Sequence, residues 1–566
     1  MGTLRGVQKQ LFEPTSSVLR SATEAKGVVY TRRWVVELLL DLAGYVPESN
    51  LVDSAAVEPA AGEGAFLLAM IERLLSSCRI QGRTLLECRN SLVAYELDKA
   101  VAKKLVAAST NILIKSGVEE SLASSLAGSW IRTGDYLVDD CNTKADFVIG
   151  NPPYVRLEDI PEHVAVLYRN SYPTMRGRAD LYIAFFEAAL HQLKADGVCA
   201  FICADRWMRN QYGNDLRRLI TSEYSVDFVV EMHKADPFHE EVDAYPAITV
   251  IRRKQQGSAV IATVNSEAGN SPSSLLAANL RGIKQHGPSE VKQGVKAALI
   301  GTWFKGSAPW PCNSPAQLAL LQRLEKHFSA LECKKKRTKV GIGVATGSDD
   351  VYITTDPGLV EPSRLIKLAL AKDIATGTLR WSGHYLVDPW DRNGLVDLHK
   401  YPTLRAYFEG HADLIKKRNT AKGNPTGWYR TIDRVHHALA KRPKLYIADI
   451  KNHLTPVLDQ GETYPHHNLY FIQSEEWDLE VLGGLLFSAV GQFFVESYGV
   501  RMRGGYFRFQ AQYLRRIRLP DPEAISPLQS EDLRAAFRER DRSLATRTAL
   551  SVYGIGEQEM AAALGY

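Results

Sequence analysis

Between residues 51 and 253, short apolar runs alternate with stretches of helical spacing, and this alternation constrains the fold more than any other feature. Leu51–Val57 reads as a strand, Gly62 and Gly64 as a turn, and Phe66–Leu75 as a helix. Ser91–Ala94 is a second apolar run that closes on Glu96, and Lys99–Ala108 follows as a helix. Ala145–Ile149 is another strand, closed by Asn151-Pro152-Pro153. Leu181–Leu193 has helical spacing; Val198–Ile202 is a strand after the turn Ala195-Asp196-Gly197; Val226–Val230 and Ala247–Ile251 are two more. Strands alternating with helices predict an α/β fold with a Rossmann-like, doubly wound, largely parallel sheet. Such sheets bind ligands at the carboxyl ends of their strands.

The chain has 566 residues, enough for two to four domains at about 150 residues each. Apolar residues make up 45% and charged residues 23%, which excludes wholesale disorder, collagen and a coiled coil. No apolar run is long enough to span a membrane, and Met1 to Ala22 lacks a secretory pattern. Seven cysteines, none in a Cys-x-x-Cys pair, argue against a disulfide framework or structural zinc. A reducing cytoplasm is expected. Gln255–Ser274 carries glycine, proline, serine and asparagine and reads as a loose connection, although Val260–Val264 inside it also fits a strand. Residues 300–520 read as short mixed segments rich in aromatics and basics, and Gln529–Leu564 as helical. The expected domains are 1–255, a connecting region 256–300, a mixed α/β domain 301–530 and a helical tail 531–566.

The strongest local signal is Asn151-Pro152-Pro153-Tyr154, directly after the apolar run Phe147-Val148-Ile149-Gly150. A proline-rich turn is its bland reading, but three other strand ends agree with a site. Glu58-Pro59-Ala60-Ala61-Gly62-Glu63-Gly64 is a strand-to-helix turn where two glycines allow close approach of a ligand. Glu96 ends the next strand, where a carboxylate can accept both hydroxyls of a ribose. Asp135, in Thr133-Gly134-Asp135-Tyr136, could accept from an adenine amino group.

These motifs in this order resemble the S-adenosylmethionine-dependent DNA adenine-N6 methyltransferases of the TaqI and Eco57I restriction–modification type. Further segments carry the resemblance. They are Gly27-Val28-Val29-Tyr30-Thr31 before the helix Trp34–Leu42, and Ala179-Asp180-Leu181-Tyr182-Ile183-Ala184-Phe185-Phe186. Phe201 to Met208 and Asp236-Pro237-Phe238-His239 complete the set. The resemblance is specific over about residues 26–253. It implies that Asn151, Pro152, Pro153 and Tyr154 are catalytic and that Tyr154 and Phe238 stack on the target base. It implies that Tyr30, Thr31, Glu58, Ala60, Gly62, Gly64, Glu96, Asp135 and Phe185 bind S-adenosylmethionine. Weaker strings, Lys339–Gly347 and Arg503–Phe509, look like pieces of a TaqI-like target-recognition domain.

The chemistry suits these residue types. An adenine amino nitrogen is a poor nucleophile because its lone pair is delocalised into the ring. The Asn151 side-chain oxygen and the Pro152 carbonyl, held stiff by two prolines, would draw its hydrogens and free the lone pair. A stacked base must first be extruded from the duplex.

Charge adds a partner. Residues 1–250 hold 26 Lys+Arg against 33 Asp+Glu, and the remainder holds 43 against 31. A basic second half suits double-stranded DNA, with Lys335, Arg337, Lys441, Arg442, Lys444, Arg501 and Arg503 as candidate contacts. A solvated surface is the competing reading for each run. The pairs His436-His437 and His466-His467 suggest metal, but neighbours on a strand point to opposite faces, so no metal is expected. Cys199 and Cys203 read as core, as do Trp381, Trp390 and Trp428. Rival activities are methylation of RNA or a protein glutamine, and a subunit that needs a partner for activity. A separate endonuclease or specificity subunit remains an open partner. No nuclease pattern is found, so cleavage by this chain is not expected.

Overall fold

Three-residue strand Ala56–Glu58 (β1) is an interior strand of a nine-stranded sheet, and its neighbours explain why it is buried throughout. The other strands are β2 (Leu92–Glu96), β3 (Ile131–Thr133), β4 (Ala145–Gly150), β5 (Leu193–Ala204), β6 (Ser225–Lys234), β7 (Pro246–Arg252), β8 (Ala259–Asn265) and β9 (Val295–Ile300). Their order is β3-β2-β1-β4-β5-β7-β6-β8-β9. The first five run parallel. β7 is antiparallel to both β5 and β6, which makes β6 parallel to β5. The computed structural model describes residues 29–139, 144–240, 245–286, 294–301, 305–310, 315–332, 337–499 and 506–564. The chain divides into two compact units, Met1–Leu318 and Ala319–Tyr566.

Period-two alternation decides which side chains meet which helices. On β5, Val198, Ala200 and Ile202 join one apolar cluster, with helices α1 (Arg33–Ala43), α2 (Ala65–Gln81) and α3 (Lys99–Lys115). Cys199, Phe201 and Cys203 point the other way, into a second cluster with helix α4 (Tyr182–Gln192). Each face of the sheet is therefore covered, as a parallel sheet requires. Cys199 and Cys203 are core residues, as the pattern predicts.

The turn from β1 into α2 needs its glycines. Gly62 and Gly64 have φ of +54° and +93°. A Cβ on Gly64 would lie 2.4 Å from Leu105 Cδ1 on α3. The turn expected at Ala195-Asp196-Gly197 is instead an irregularity within β5, where Asp196 takes φ +60°. There the pairing with β4 jumps from Ala145↔Leu193 to Phe147↔Val198.

Two sequence expectations for domain layout need correction. The span 256–300 is not a loose connection: β8 and β9 extend the large sheet, and helix α5 (Ser273–His286) packs between them in sequence. Val260, Ala262 and Val264 lie on one face and Ala259 and Ile261 on the other. The strand reading of Val260–Val264 holds, since that run lies within β8. Residues 531–566 are not a tail either. Three helices, Pro527–Glu539, Arg542–Tyr553 and Glu557–Leu564, place Leu533, Phe537, Tyr553 and Met560 in the same core as Leu482 and Phe493.

The second unit holds two four-stranded sheets. One is antiparallel, in the order Thr338–Ile342, Leu469–Ser474, Lys444–Ala448 and Val457–Asp459. The other runs Ile353–Thr354, Tyr385–Val387, Leu365–Ala369 and Tyr464–Pro465. Trp390 is buried in this unit's core, and Trp428 packs against it; the Trp381 indole donates to the His384 carbonyl at 2.9 Å.

Candidate active site

Four adjacent parallel strands, β3, β2, β1 and β4, end at a common cavity of about 450 Å³. The strand order reverses between β1 and β4, which is where doubly wound sheets open a crevice for ligands. Glu58 ends β1 and Glu96 ends β2; Asp135 follows β3 and Asn151 follows β4. All four line the cavity, with Tyr30, Thr31, Ala60, Gly62, Pro152, Pro153 and Phe185. Gly64 lies behind this lining, at the start of α2.

The wall is acidic. Among the described residues that line it there is no lysine or arginine. Glu58 is buried and its Oε2 has no hydrogen-bond partner among the described residues. Burial, with Glu96 nearby, pushes its carboxyl well above the usual range. Glu96 is held by two backbone amides: Gly62 N–H donates to Oε2 at 2.8 Å and Asp98 N–H to Oε1 at 2.7 Å. Burial raises Glu96 also, against the pull of those amides. Asp135 accepts from the Tyr168 hydroxyl at 2.6 Å and from the Leu137 amide at 2.9 Å. Its carboxyl is again raised by burial. Phe185 stacks on Tyr136, with ring centroids 5.6 Å apart and planes at 26°. This gives the cavity one flat aromatic wall.

Asn151 is fixed in one orientation. Its amide nitrogen donates to the Val29 carbonyl and to Thr31 Oγ1, each at 3.2 Å. Its Oδ1 is buried and has no partner among the described residues. An unpaired buried carbonyl costs about 1–3 kcal/mol, so this oxygen awaits a donor. Tyr154 follows three residues later; its hydroxyl is buried with no partner among the described residues, and burial pushes it well above its ordinary range. The Tyr154 and Phe238 rings meet edge to face, with centroids 6.2 Å apart and planes at 81°.

Two segments distant in sequence meet here through backbone bonds. Arg32 N–H donates to the Pro237 carbonyl at 2.9 Å and His239 N–H to the Tyr30 carbonyl at 3.0 Å. The Arg32 guanidinium donates to the Phe238 carbonyl at 2.8 Å and pairs with Asp236. Thr31 and Phe238 form an isolated β-bridge. These bonds hold the Thr31 hydroxyl where Asn151 needs an acceptor.

Sequence reasoning missed Tyr168, the Asp135 donor. Its helix shows apolar spacing at Val164, Ala165 and Tyr168, which signals burial but not the contact. It also missed Leu97, Leu181 and His239 in the wall.

The DNA-contact candidates fare unevenly. Lys444 is fully buried, with Nζ 2.6 Å from Asp459 Oδ2, so it is an internal ion pair and not a surface cation. The strand Lys444–Ala448 is buried along its whole length, which the basic run Lys441–Lys444 disguised. Arg337 pairs with Glu475 at 3.0 Å, and Arg442 approaches the same carboxylate at 3.8 Å. Lys441 and Arg442 line a surface cavity with Arg392 and Arg434, two cations the sequence reading did not single out. Lys335, Arg501 and Arg503 lie outside the described residues.

Comparison with known proteins decides the family. Residues 78–238 match the model of the Eco57I restriction-modification methylases. The chain is 42% identical to the Type II methyltransferase M.PaeR7I of Pseudomonas aeruginosa, covering 95% of this chain and 93% of that protein. It is 40% identical to the Type II methyltransferase M.XhoI of Xanthomonas vasicola, covering 95% and 98%. The chain belongs to the Type II methyltransferases of restriction–modification systems. Among solved structures, the Type IIL restriction-modification enzyme MmeI in complex with DNA has the same fold. Its TM-score is 0.54 at 13% identity, covering 94% of this chain and 74% of that one. In this methylase the acidic cavity and Asn151, at the carboxyl edge of the sheet, are the candidate active site.

Proposed function

We propose that this methylase transfers the methyl group of S-adenosylmethionine to N6 of an adenine flipped out of double-stranded DNA. The observation that carries the reading is the buried, unpaired Asn151 Oδ1 beside an acidic cavity. That oxygen suits the N–H of an exocyclic amino group, and an acidic wall suits a ligand with a sulfonium and an ammonium. When bound, S-adenosylmethionine supplies an activated methyl group, so neither a metal nor a covalent enzyme intermediate is needed.

The protein's part is placement and polarisation. Asn151 Oδ1 and the Pro152 carbonyl accept from the two amino hydrogens and localise the nitrogen lone pair. The Val29 and Thr31 acceptors hold the Asn151 amide so that its oxygen, not its nitrogen, faces the base. Tyr154 stacks on the extruded base, an interaction worth about 1–3 kcal/mol, and Phe238 closes the edge. Glu58 and the 58–64 turn hold the methionine end, with Tyr30, Thr31, Ala60, Gly62 and Gly64. Glu96 takes the ribose hydroxyls, and Asp135 with Phe185 takes the cofactor's adenine. The second unit reads the recognition sequence, with Lys441 and Arg442 on phosphates; a separate endonuclease completes the restriction–modification system.

Base-modification sequencing of plasmid DNA from a methylation-free host tests this. N6-methyladenine at one recurring motif with the wild type, and none with Asn151→Ala, is the expected result. Modified cytosine would overturn the choice of base. Unmodified DNA, even when purified protein and S-adenosylmethionine are added, would overturn duplex DNA as the acceptor of this chain alone.

A further inference from the structure

Away from the active site, Asp349, His466 and His467 of the second unit bring one ligand atom each within 4.8 Å of one another. The sequence argues against a paired-histidine site because strand neighbours diverge. Here the strand Tyr464–Pro465 has already ended: the chain turns at His466, and the Leu469 amide donates to the His466 carbonyl at 2.8 Å. The turn swings the two rings onto one side, with centroids 4.0 Å apart.

His466 is 4% exposed, and neither ring nitrogen has a hydrogen-bond partner among the described residues. Its Nε2 lies 3.2 Å from Asp349 Oδ2, yet off the line that a hydrogen bond needs. A buried imidazole that meets only one poorly aligned carboxylate is costly, and a metal ion held between the ring and Asp349 removes part of that cost. The Thr346 hydroxyl donates to Asp349 Oδ1 and leaves Oδ2 directed at the rings. Asp433 and Asp449 add negative charge around His467. Asp433 also accepts from the Ala345 amide, and Asp449 pairs with Arg508. The backbone frame is firm: His467 N–H donates to the Val344 carbonyl and His466 N–H to the Ala369 carbonyl, each at 3.0 Å.

We propose that Asp349, His466 and His467 bind one divalent transition-metal ion of the zinc class, clipping the 343–349 segment to the 464–469 turn. Two imidazoles and a carboxylate select such an ion over magnesium or calcium, which prefer all-oxygen shells. Ligands at about 2.0–2.2 Å from zinc require a small closure, which the exposed His467 and Asp349 side chains can make by rotation. Three protein ligands leave a fourth position for water.

The test uses untagged full-length protein, stripped with chelator, given one equivalent of zinc or cobalt and desalted. Wild type should retain about one metal ion per chain, show the visible absorption of tetrahedral cobalt, and melt at a higher temperature with zinc than without. His467→Gln and Asp349→Asn alter exposed side chains and should fold. Each should bind more than about tenfold more weakly, since even the loss of an outer-shell partner costs that much, and lose the zinc-dependent rise in melting temperature. Wild type that retains no metal would overturn the proposal, as would equal retention by both variants.

Discussion

Asn151 shows how a single side chain can be legible as a motif and yet have its orientation set elsewhere. The tetrapeptide after a strand pointed to it directly; its two acceptors, Val29 and Thr31, lie 122 and 120 residues away in sequence. No local pattern encodes that pairing. If Oδ1 polarises the amino group, Asn151→Ala should lower kcat by about 10²–10³, the usual loss of one preorganised polar group, while KM for DNA changes little. Asn151→Asp keeps an acceptor and should retain more activity than the alanine variant. Steady-state transfer of labelled methyl groups to duplex DNA measures both. Tyr154 acts through its ring in this scheme. Tyr154→Ala should therefore cost about 1–3 kcal/mol of base stacking, whereas Tyr154→Phe should extrude the base as well as wild type. The fluorescence of 2-aminopurine at the target position reports that difference; a phenylalanine variant as poor as alanine would transfer the role to the hydroxyl.

At the scale of elements, apolar runs revealed β2, β4 and the buried part of β5, while of the run Leu51–Val57 only Ala56 and Val57 lie in β1. The apolar pattern also fitted Val260–Val264, within β8, although the Gly257, Ser258 and Ser266 around it made the span read as a connection; it failed at Lys444, which ends the basic run Lys441-Arg442-Pro443-Lys444. Lys444 occupies an inward position of the strand Lys444–Ala448 and is fully buried. Burial holds its ammonium below the ordinary lysine value, and Asp459 opposes that fall. Asp459 also accepts from Tyr446 and Thr463 hydroxyls, each at 3.1 Å, so the pair is fully engaged. Lys444→Ala would leave a buried carboxylate without its cation, at a cost of about 3–5 kcal/mol. The thermal unfolding midpoint should drop markedly. Exposed Lys441→Ala should shift it little, because surface substitutions usually stay within about 0.5 kcal/mol. In the salt dependence of DNA binding the order should reverse: Lys441→Ala should flatten the slope by about one, and Lys444→Ala should leave it unchanged. A flattened slope for a fully folded Lys444→Ala would make Lys444 a phosphate contact after all.

Over the whole molecule, an acidic first half and a basic second half were visible in composition, but not how the acid is distributed. The structure gathers Glu58, Glu96 and Asp135 from three strand ends onto one wall and raises all three by burial. The sign of the consequence follows from linkage. A carboxyl whose folded value exceeds its unfolded value favours folding when protonated. Stability contributed this way is lost as pH rises from the ordinary carboxylate value, about 4, through the raised one. A cationic ligand reverses the balance because it favours the ionised carboxylates. Binding of S-adenosylmethionine should therefore release protons within the raised range and tighten as pH increases through it. Calorimetric titration in two buffers of different ionisation enthalpy, repeated between about pH 5.5 and about pH 8, measures that release. Glu58 has an unpaired oxygen and so has the most to gain from the ligand. Glu58→Gln should remove most of the proton release and weaken binding at the alkaline end more than at the acid end. Proton uptake on binding, or a release that Glu58→Gln leaves intact, would detach the methionine end of the cofactor from Glu58.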